Sequence, residues 1–172
     1  MTARDPAVTD LLESHSSRVY GKYPGTVTEV DEATMRVRAK VVGVFGDQQA
    51  SGWCMPSVPY AGDGYGFAFL PEVGNGVWIE FEGGDISRPI WSGCYWIEGT
   101  VPPDAKAAVK VLQTKGGAKI ILDDDATTIT VTDSHGNEIL LESAGITLKR
   151  GSMKIEIAEA AVKINSTSLE VT

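Results

Sequence analysis

The sequence predicts an all-β protein of two unlike halves: a small closed barrel of the OB type, then a repetitive β-shaft that needs companion chains. Three observations carry that prediction. From Arg18 to Trp96 apolar and polar residues alternate at a period of two, the pattern of half-buried strands. All 13 aromatic residues (4 Trp, 5 Tyr, 4 Phe) lie between Tyr20 and Trp96, and the 76 residues that follow contain none. Those last residues repeat one minimal unit, a pair of aliphatics one residue apart, separated by turn formers.

The elements follow in order. Residues 1–17 form an N-terminal extension, expected to be partly helical. Over 7–20, Thr9 or Asp10 can cap a helix and Leu11 and Leu12 supply an apolar stripe. So short a helix needs a neighbour to be stable. Residues 18–98 form the barrel. Met35, Val37, Ala39 and Val41 alternate with Arg36, Arg38 and Lys40, and Val77, Ile79 and Phe81 alternate with Trp78, Glu80 and Glu82. Glycine-bearing breaks separate about five such runs, a count that suits a five-stranded closed barrel. Residues 99–108 are a linker, where Pro102-Pro103 blocks both helix and ladder bonding.

Residues 109–172 form the shaft. Its pairs are Ile120/Leu122, Ile129/Val131, Ile139/Leu141, Ile146/Leu148, Ile155/Ile157, Val162/Ile164 and Leu169/Val171, beginning 9, 10, 7, 9, 7 and 7 residues apart. The spacing describes very short strands with one apolar face each, repeated like a solenoid. Such a tail has no second layer of its own to pack against. Several identical chains winding these faces onto a common axis would supply one. Three copies make a triangular β-prism or an intertwined β-helix with polar outer walls, and the twelve aliphatics from Ile120 to Ile164 become its core.

Composition excludes several classes of function. The 172 residues are 42% hydrophobic and 22% charged, enough to bury a core. A formal charge of −8 argues against a general nucleic-acid binder, which needs clustered cations. No apolar run approaches the length of a membrane-spanning helix. The N-terminus has no apolar core of signal-peptide length, so synthesis in the cytoplasm is expected.

No catalytic constellation and no cofactor or metal site is expected. His15 and His135 fall in different segments, and His135 sits in a turn sequence, Asp133-Ser134-His135-Gly136-Asn137. Cys54 and Cys94 lack metal-ligand spacing and read as two buried thiols of the barrel, with a disulfide or a redox role as the alternatives. Asp123-Asp124-Asp125 does not alternate its oxygen ligands as a calcium loop does, and reads as a solvated turn. Arg36, Arg38 and Lys40 could contact nucleic acid, as OB barrels often do. The preferred reading is an exposed strand face paired with acids such as Glu80 and Glu82, or with another subunit.

The stretch from Pro59 to Trp96 is more specific. It carries Gly64-Tyr65-Gly66-Phe67, then Leu70-Pro71-Glu72-Val73-Gly74, a strand ending in Glu80-Phe81-Glu82, Gly84-Asp85, and Arg88-Pro89 leading to Trp91-Ser92-Gly93. This ordered run of 38 residues resembles the OB domain of the baseplate spike family. That family includes phage baseplate assembly protein V, the VgrG spikes of type VI secretion and the spikes of extracellular contractile injection systems. Asn75 stands where members often carry Asp, a change that keeps the turn chemistry.

The resemblance implies a non-enzymatic, structural central spike of a contractile phage tail or tail-like injection particle, assembled into its baseplate. Some relatives insert a lysozyme domain, end in a histidine-bearing metal-bound tip or carry a fused hub domain; none of these is visible here. The implied partners are therefore two further copies of the chain, a hub protein at the barrel end and a separate PAAR-type tip protein at Leu169, Glu170, Val171 and Thr172. The target membrane is met only transiently, during puncture. The rival readings are an OB-type binding module on a trimerisation stalk and, more weakly, a component of a cell-wall hydrolase.

Overall fold

In the computed structural model, residues 18–165 and 169–171 are described. The expected N-terminal helix falls mostly on residues 1–17, outside the described residues; Arg18, Val19 and Tyr20 are not helical. The chain divides into two units, 1–100 and 101–172. Both are nearly all β. The one α-helical element among the described residues is a single turn, α1 (Val42–Phe45).

In the first unit, β1 (Tyr23–Asp31) and β2 (Arg36–Lys40) form a hairpin. Its turn is held by Asp31, whose carboxylate accepts from the Ala33 amide at 3.0 Å and the Thr34 hydroxyl at 2.5 Å. After α1 the chain returns through residues 50–54 to β3 (Met55–Pro56). A small hairpin, β4 (Ala61–Gly62) and β5 (Tyr65–Gly66), follows, then β6 (Gly76–Phe81) and β7 (Pro89–Tyr95). The main sheet runs β2-β1-β6-β7-β3, antiparallel except where β3 lies parallel to β7. Bridges Val37↔Cys54 and Lys40↔Ala50 return that order to β2, so the sheet curls onto itself as an OB-type barrel.

The alternation read from the sequence sets what lies inside. Val27, Val37, Ala39, Val41, Cys54, Val77, Ile79, Phe81 and Trp91 form the buried core. Met35 begins no strand; it ends the hairpin turn at φ 56°, and its carbonyl accepts from the Trp91 indole N–H at 3.1 Å. Cys94 departs from expectation. It is exposed: the register of β6 and β7 shifts between the Ile79–Trp91 and Val77–Cys94 pairs, so the alternation that places Trp91 inside does not carry through to Cys94. Cys54 is buried and lies 3.2 Å from the Ser51 hydroxyl, and both cysteines are free.

The second unit is a single antiparallel meander. Its strands are β8 (Val109–Gln113), β9 (Lys119–Asp123), β10 (Thr128–Thr132), β11 (Asn137–Glu142), β12 (Gly145–Arg150), β13 (Met153–Ile157), β14 (Val162–Ile164) and β15 (Leu169–Val171). Each pairs with the next, so the eight-stranded order follows the chain. Asx residues hold several turns: Asp123 accepts from the Asp125 and Ala126 amides at 3.0 and 2.9 Å, which is the turn expected of the three aspartates. Gly145 is required at the start of β12, because a Cβ there would stand 2.0 Å from the Ile157 carbonyl oxygen.

Two substitutions separate the barrel's core from its surface. Ile79 is fully buried, so Ile79→Ala should cost about 2–5 kcal/mol. Val73 is 61% exposed, so Val73→Ala should stay within about 0.5 kcal/mol. Denaturant midpoints of the two variants against the parent check both values.

Candidate functional site

The register of the meander brings the predicted aliphatics together in two unbroken columns. One column is Leu122–Ile129–Leu141–Ile146–Ile157–Val162–Val171, each directly opposite the next across the ladder. The other is Ile120–Val131–Ile139–Leu148–Ile155–Ile164–Leu169. Residues two apart on a strand share a face, so both columns lie on the same side of the sheet.

That side is uncovered. Ile120, Leu122, Ile129, Ile139, Leu141, Ile146, Leu148, Ile157 and Val162 are exposed, and Val131, Ile155 and Ile164 are half-buried. No residue from 101 to 165 is buried, whereas every member of the hydrophobic core belongs to the barrel. Soluble chains seldom leave so long an apolar face bare; a face of this kind marks an association surface.

Register also adds a residue that pattern reading missed. Leu112 lies opposite Ile120 and extends the second column by one strand; it is 43% exposed. The run Val109-Lys110-Val111-Leu112 offers both parities, and Val109 and Val111 take the opposite face. No periodicity signal could have chosen between them. Lys110 closes the first column opposite Leu122, and its ammonium pairs with Asp124.

The opposite face is mixed. Its central row runs Val111–Ile121–Thr130–Leu140–Thr147–Glu156–Lys163–Glu170, apolar near β8 and charged towards β15. Lys154 and Glu156 pair there at 2.8 Å. At the far end of the sheet, Leu169, Glu170 and Val171 form the outermost strand, paired on one side only. Thr172 lies outside the described residues.

The barrel motif residues are placed as scaffold. The Asn75 amide donates to the Glu72 carbonyl at 3.0 Å, closing a turn at Leu70–Gly74. That turn then clasps β1: the Gly74 amide donates to Val27 at 2.9 Å and the Val27 amide donates to Asn75 at 3.0 Å. Arg88 pairs with Glu82 at 2.7 Å, Pro89 is buried, and Trp91 reaches Met35 as described. Gly66 is needed because a Cβ would come within 2.6 Å of the Tyr60 carbonyl oxygen. Tyr65 and Phe67 flank it, exposed beside Tyr60 and Phe69.

The cations of β2 find other partners than those expected. Arg38 pairs with Glu29 at 3.3 Å and lies 4.8 Å over the Trp53 ring; Lys40 pairs with Asp47 at 2.9 Å. The reason is register, since Arg38 stands directly opposite Glu29 on β1. Glu80 is taken first by the Ser92 hydroxyl at 2.6 Å and then by Lys22 at 3.1 Å, which hold its carboxyl below the usual range. Among the described residues, no three of His, Cys, Asp and Glu gather as a metal set.

A curled OB barrel followed by a meander with one bare aliphatic face defines a class: modules that assemble through their tails. Residues 23–96 match the family described as the type VI secretion system/phage-baseplate injector OB domain, and residues 109–170 match the phage baseplate V C-terminal trimerisation domain. The chain belongs to the phage baseplate V and VgrG-type spike family, whose members are structural parts of phage tails and secretion systems. Two curated relatives agree. The type VI secretion system spike protein VgrG4b of Pseudomonas aeruginosa is 31% identical over 99 residues, 54% of this chain and 12% of the relative. The actin cross-linking toxin VgrG1 of Vibrio cholerae is 38% identical over 58 residues, 34% of this chain and 5% of the relative. The matches thus span about an eighth and a twentieth of those relatives' lengths.

One rim of the aliphatic face carries a titration signature. The Asp133 carboxyl is held down at about 2 from an ordinary 3.8, first by the Asn137 side-chain amide and then by the Asn137 backbone N–H. His135 also donates to it from the backbone at 2.9 Å, while its ring stays in solvent beside the carboxylate. A depressed folded-state value stabilises fully above the unfolded value and loses that contribution as pH falls through the folded one. We predict that Asp133's share of stability declines from pH 3.8 down to about 2. Asp133→Asn should therefore shrink the gap between parent and variant across that window, read by thermal melts at stepped pH.

Proposed function

We propose that this chain is the structural central spike of a contractile phage tail or tail-like injection system, working as a homotrimer. The observation that carries the reading is the pair of bare aliphatic columns on a sheet with no core of its own. Two further copies supply the missing layer: three sheets close a triangular prism, Ile120 through Ile164 of each chain line its interior, and the mixed faces form the outer walls. In this reading the barrel is 18–98, 99–108 link it to the shaft, and 109–172 are the shaft.

Stiffness follows from this arrangement. Every ladder bond of the meander lies within one chain, and eight strands at about 4.8 Å spacing give each wall a height of roughly 34 Å. Separating the copies means exposing the whole interior at once, so the shaft resists unfolding kinetically. A spike so built seats on a hub protein at the barrel end, transmits the push of contraction along its axis and meets the target membrane only during puncture. The half-paired β15 strands at the other end are a template for a PAAR-type tip protein, contacted through Leu169 to Thr172.

The competing reading, an OB-type binding module on a trimerisation stalk, draws on the exposed Tyr60, Tyr65, Phe67 and Phe69. A nucleic-acid face would need free cations beside those rings. Arg38 and Lys40 of β2 are instead committed to Glu29 and Asp47, which favours the spike.

Two experiments test the proposal at its two ends. Ile157→Asp places three carboxylates inside the prism, where unpaired charge is heavily penalised. The variant should lose the heat- and detergent-resistant oligomer band on gels, and retention of that band at parental temperature would show that Ile157 does not face the interior. Deleting Leu169 to Thr172 should abolish capture of a PAAR-type tip protein while sparing trimerisation. Equal capture by full-length and shortened chains would place the tip elsewhere.

A further inference from the structure

The two flanks of the aliphatic face are not alike. Along the Val131–Ile139–Leu148–Ile155–Ile164 side runs a concave trough of about 690 Å³. Its rim is held by hydrogen bonds: Arg150 donates to the Asn137 side-chain oxygen Oδ1 at 3.0 Å, the Asn137 side-chain amide donates to Asp133 at 2.5 Å, and the Lys154 backbone N–H donates to Asn165 Oδ1 at 3.0 Å. Met153, 59% exposed, overhangs that rim. The opposite flank carries the column from Leu122 to Val162, and its hairpin turns mix small residues, Ser143-Ala144 and Ala158 with Ala160-Ala161, with the acids Asp124, Asp125 and Glu159. The trough is the larger and more apolar hollow of the two; beside Ile146 and Ile157 the opposite flank has a smaller, more polar one of about 450 Å³.

Resting on the trimer reading above, we propose that the trough of each chain is the seat for the Leu122–Val162 column of the next copy, so the shaft closes by joining unlike flanks. Threefold rotation permits this and disfavours the alternative. A cyclic trimer contact is heterologous: surface A of one copy meets surface B of the next, and never A with A, as a twofold contact would allow. Two walls of a prism that meet at a corner bring the left column of one against the right column of its neighbour. Rotation keeps equivalent strands at equal height, so β12 of one chain lies beside β12 of the next. Ile146 of one copy then enters the trough beside Leu148 of its neighbour, and one strand further on Ile157 enters beside Ile155. The occupant is thus a second copy of this chain, and the trough is filled in the assembled shaft.

The test is heterotypic disulfide trapping in the full-length protein. Chains carrying Ile146→Cys and chains carrying Leu148→Cys are expressed together and separately, both with Cys94→Ser because Cys94 is the exposed native thiol. Mild oxidation should give a linked dimer as the main product of the mixture, with loss of that band in either variant alone. The pair Ile157→Cys and Ile155→Cys should behave in the same way, which guards against one misfolded variant. Self-linking by either single variant would overturn the flank assignment, because like columns would then be meeting. Absence of any link in a sample that native mass spectrometry shows to be trimeric would overturn it as well, leaving the trimer intact. A monomer by native mass spectrometry in the parent would sink both the trimer and the seat, so the two failures are told apart.

Discussion

An antiparallel sheet can leave one face to water only if that face is polar, and the tail of this chain breaks that condition along its whole length. Two columns of Ile, Leu and Val stand opposite one another from β9 to β14, and among the described residues no second layer of the same unit lies over them. Hydrophobic burial has to be completed from outside. Family membership, the absence of a core in residues 101–165 and the one-sided alternation all express this requirement. The barrel, by contrast, is self-sufficient: its core runs from Val27 to Trp91, and its sheet order returns to its starting strand.

The division of labour between the units shows in their residue choice. The barrel spends its aromatics on a small interior and its turns, with Trp91 anchoring to Met35 and the Leu70–Gly74 turn clasping Val27 from both sides. The tail uses none. Aliphatic pairs with short polar turns suit a repeating wall, since each strand adds the same two side chains to the same two columns. Aromatic rings of varied size would break that spacing.

Much of this was legible in the sequence because period-two alternation survives translation into structure. Val37, Ala39 and Val41, like Val77, Ile79 and Phe81, went inside as their pattern required, and the six shaft pairs from Ile120/Leu122 to Val162/Ile164 fell on one face. What escaped were properties of register and parity. Arg38 pairs with Glu29 because β2 lies beside β1, a neighbour relation that no local pattern encodes. Leu112 joins the second column only because Gln113 faces Lys119 across the first hairpin of the tail. Cys94 is exposed beyond a register shift between Trp91 and Cys94 on β7, an irregularity that alternation cannot foresee. The trough's rim depends on Arg150 reaching Asn137 and on Asn165 accepting from the Lys154 amide, contacts invisible to spacing.

The central claim is that the bare face is closed by two more copies of the same chain, and the mass of the particle in solution tests it most directly. Light scattering coupled to size exclusion, run over a range of loading concentrations, should return the mass of three 18.3 kDa chains with no dependence on dilution. A monodisperse species at the mass of one chain would contradict the account, since the aliphatic face would then be stable in water uncovered.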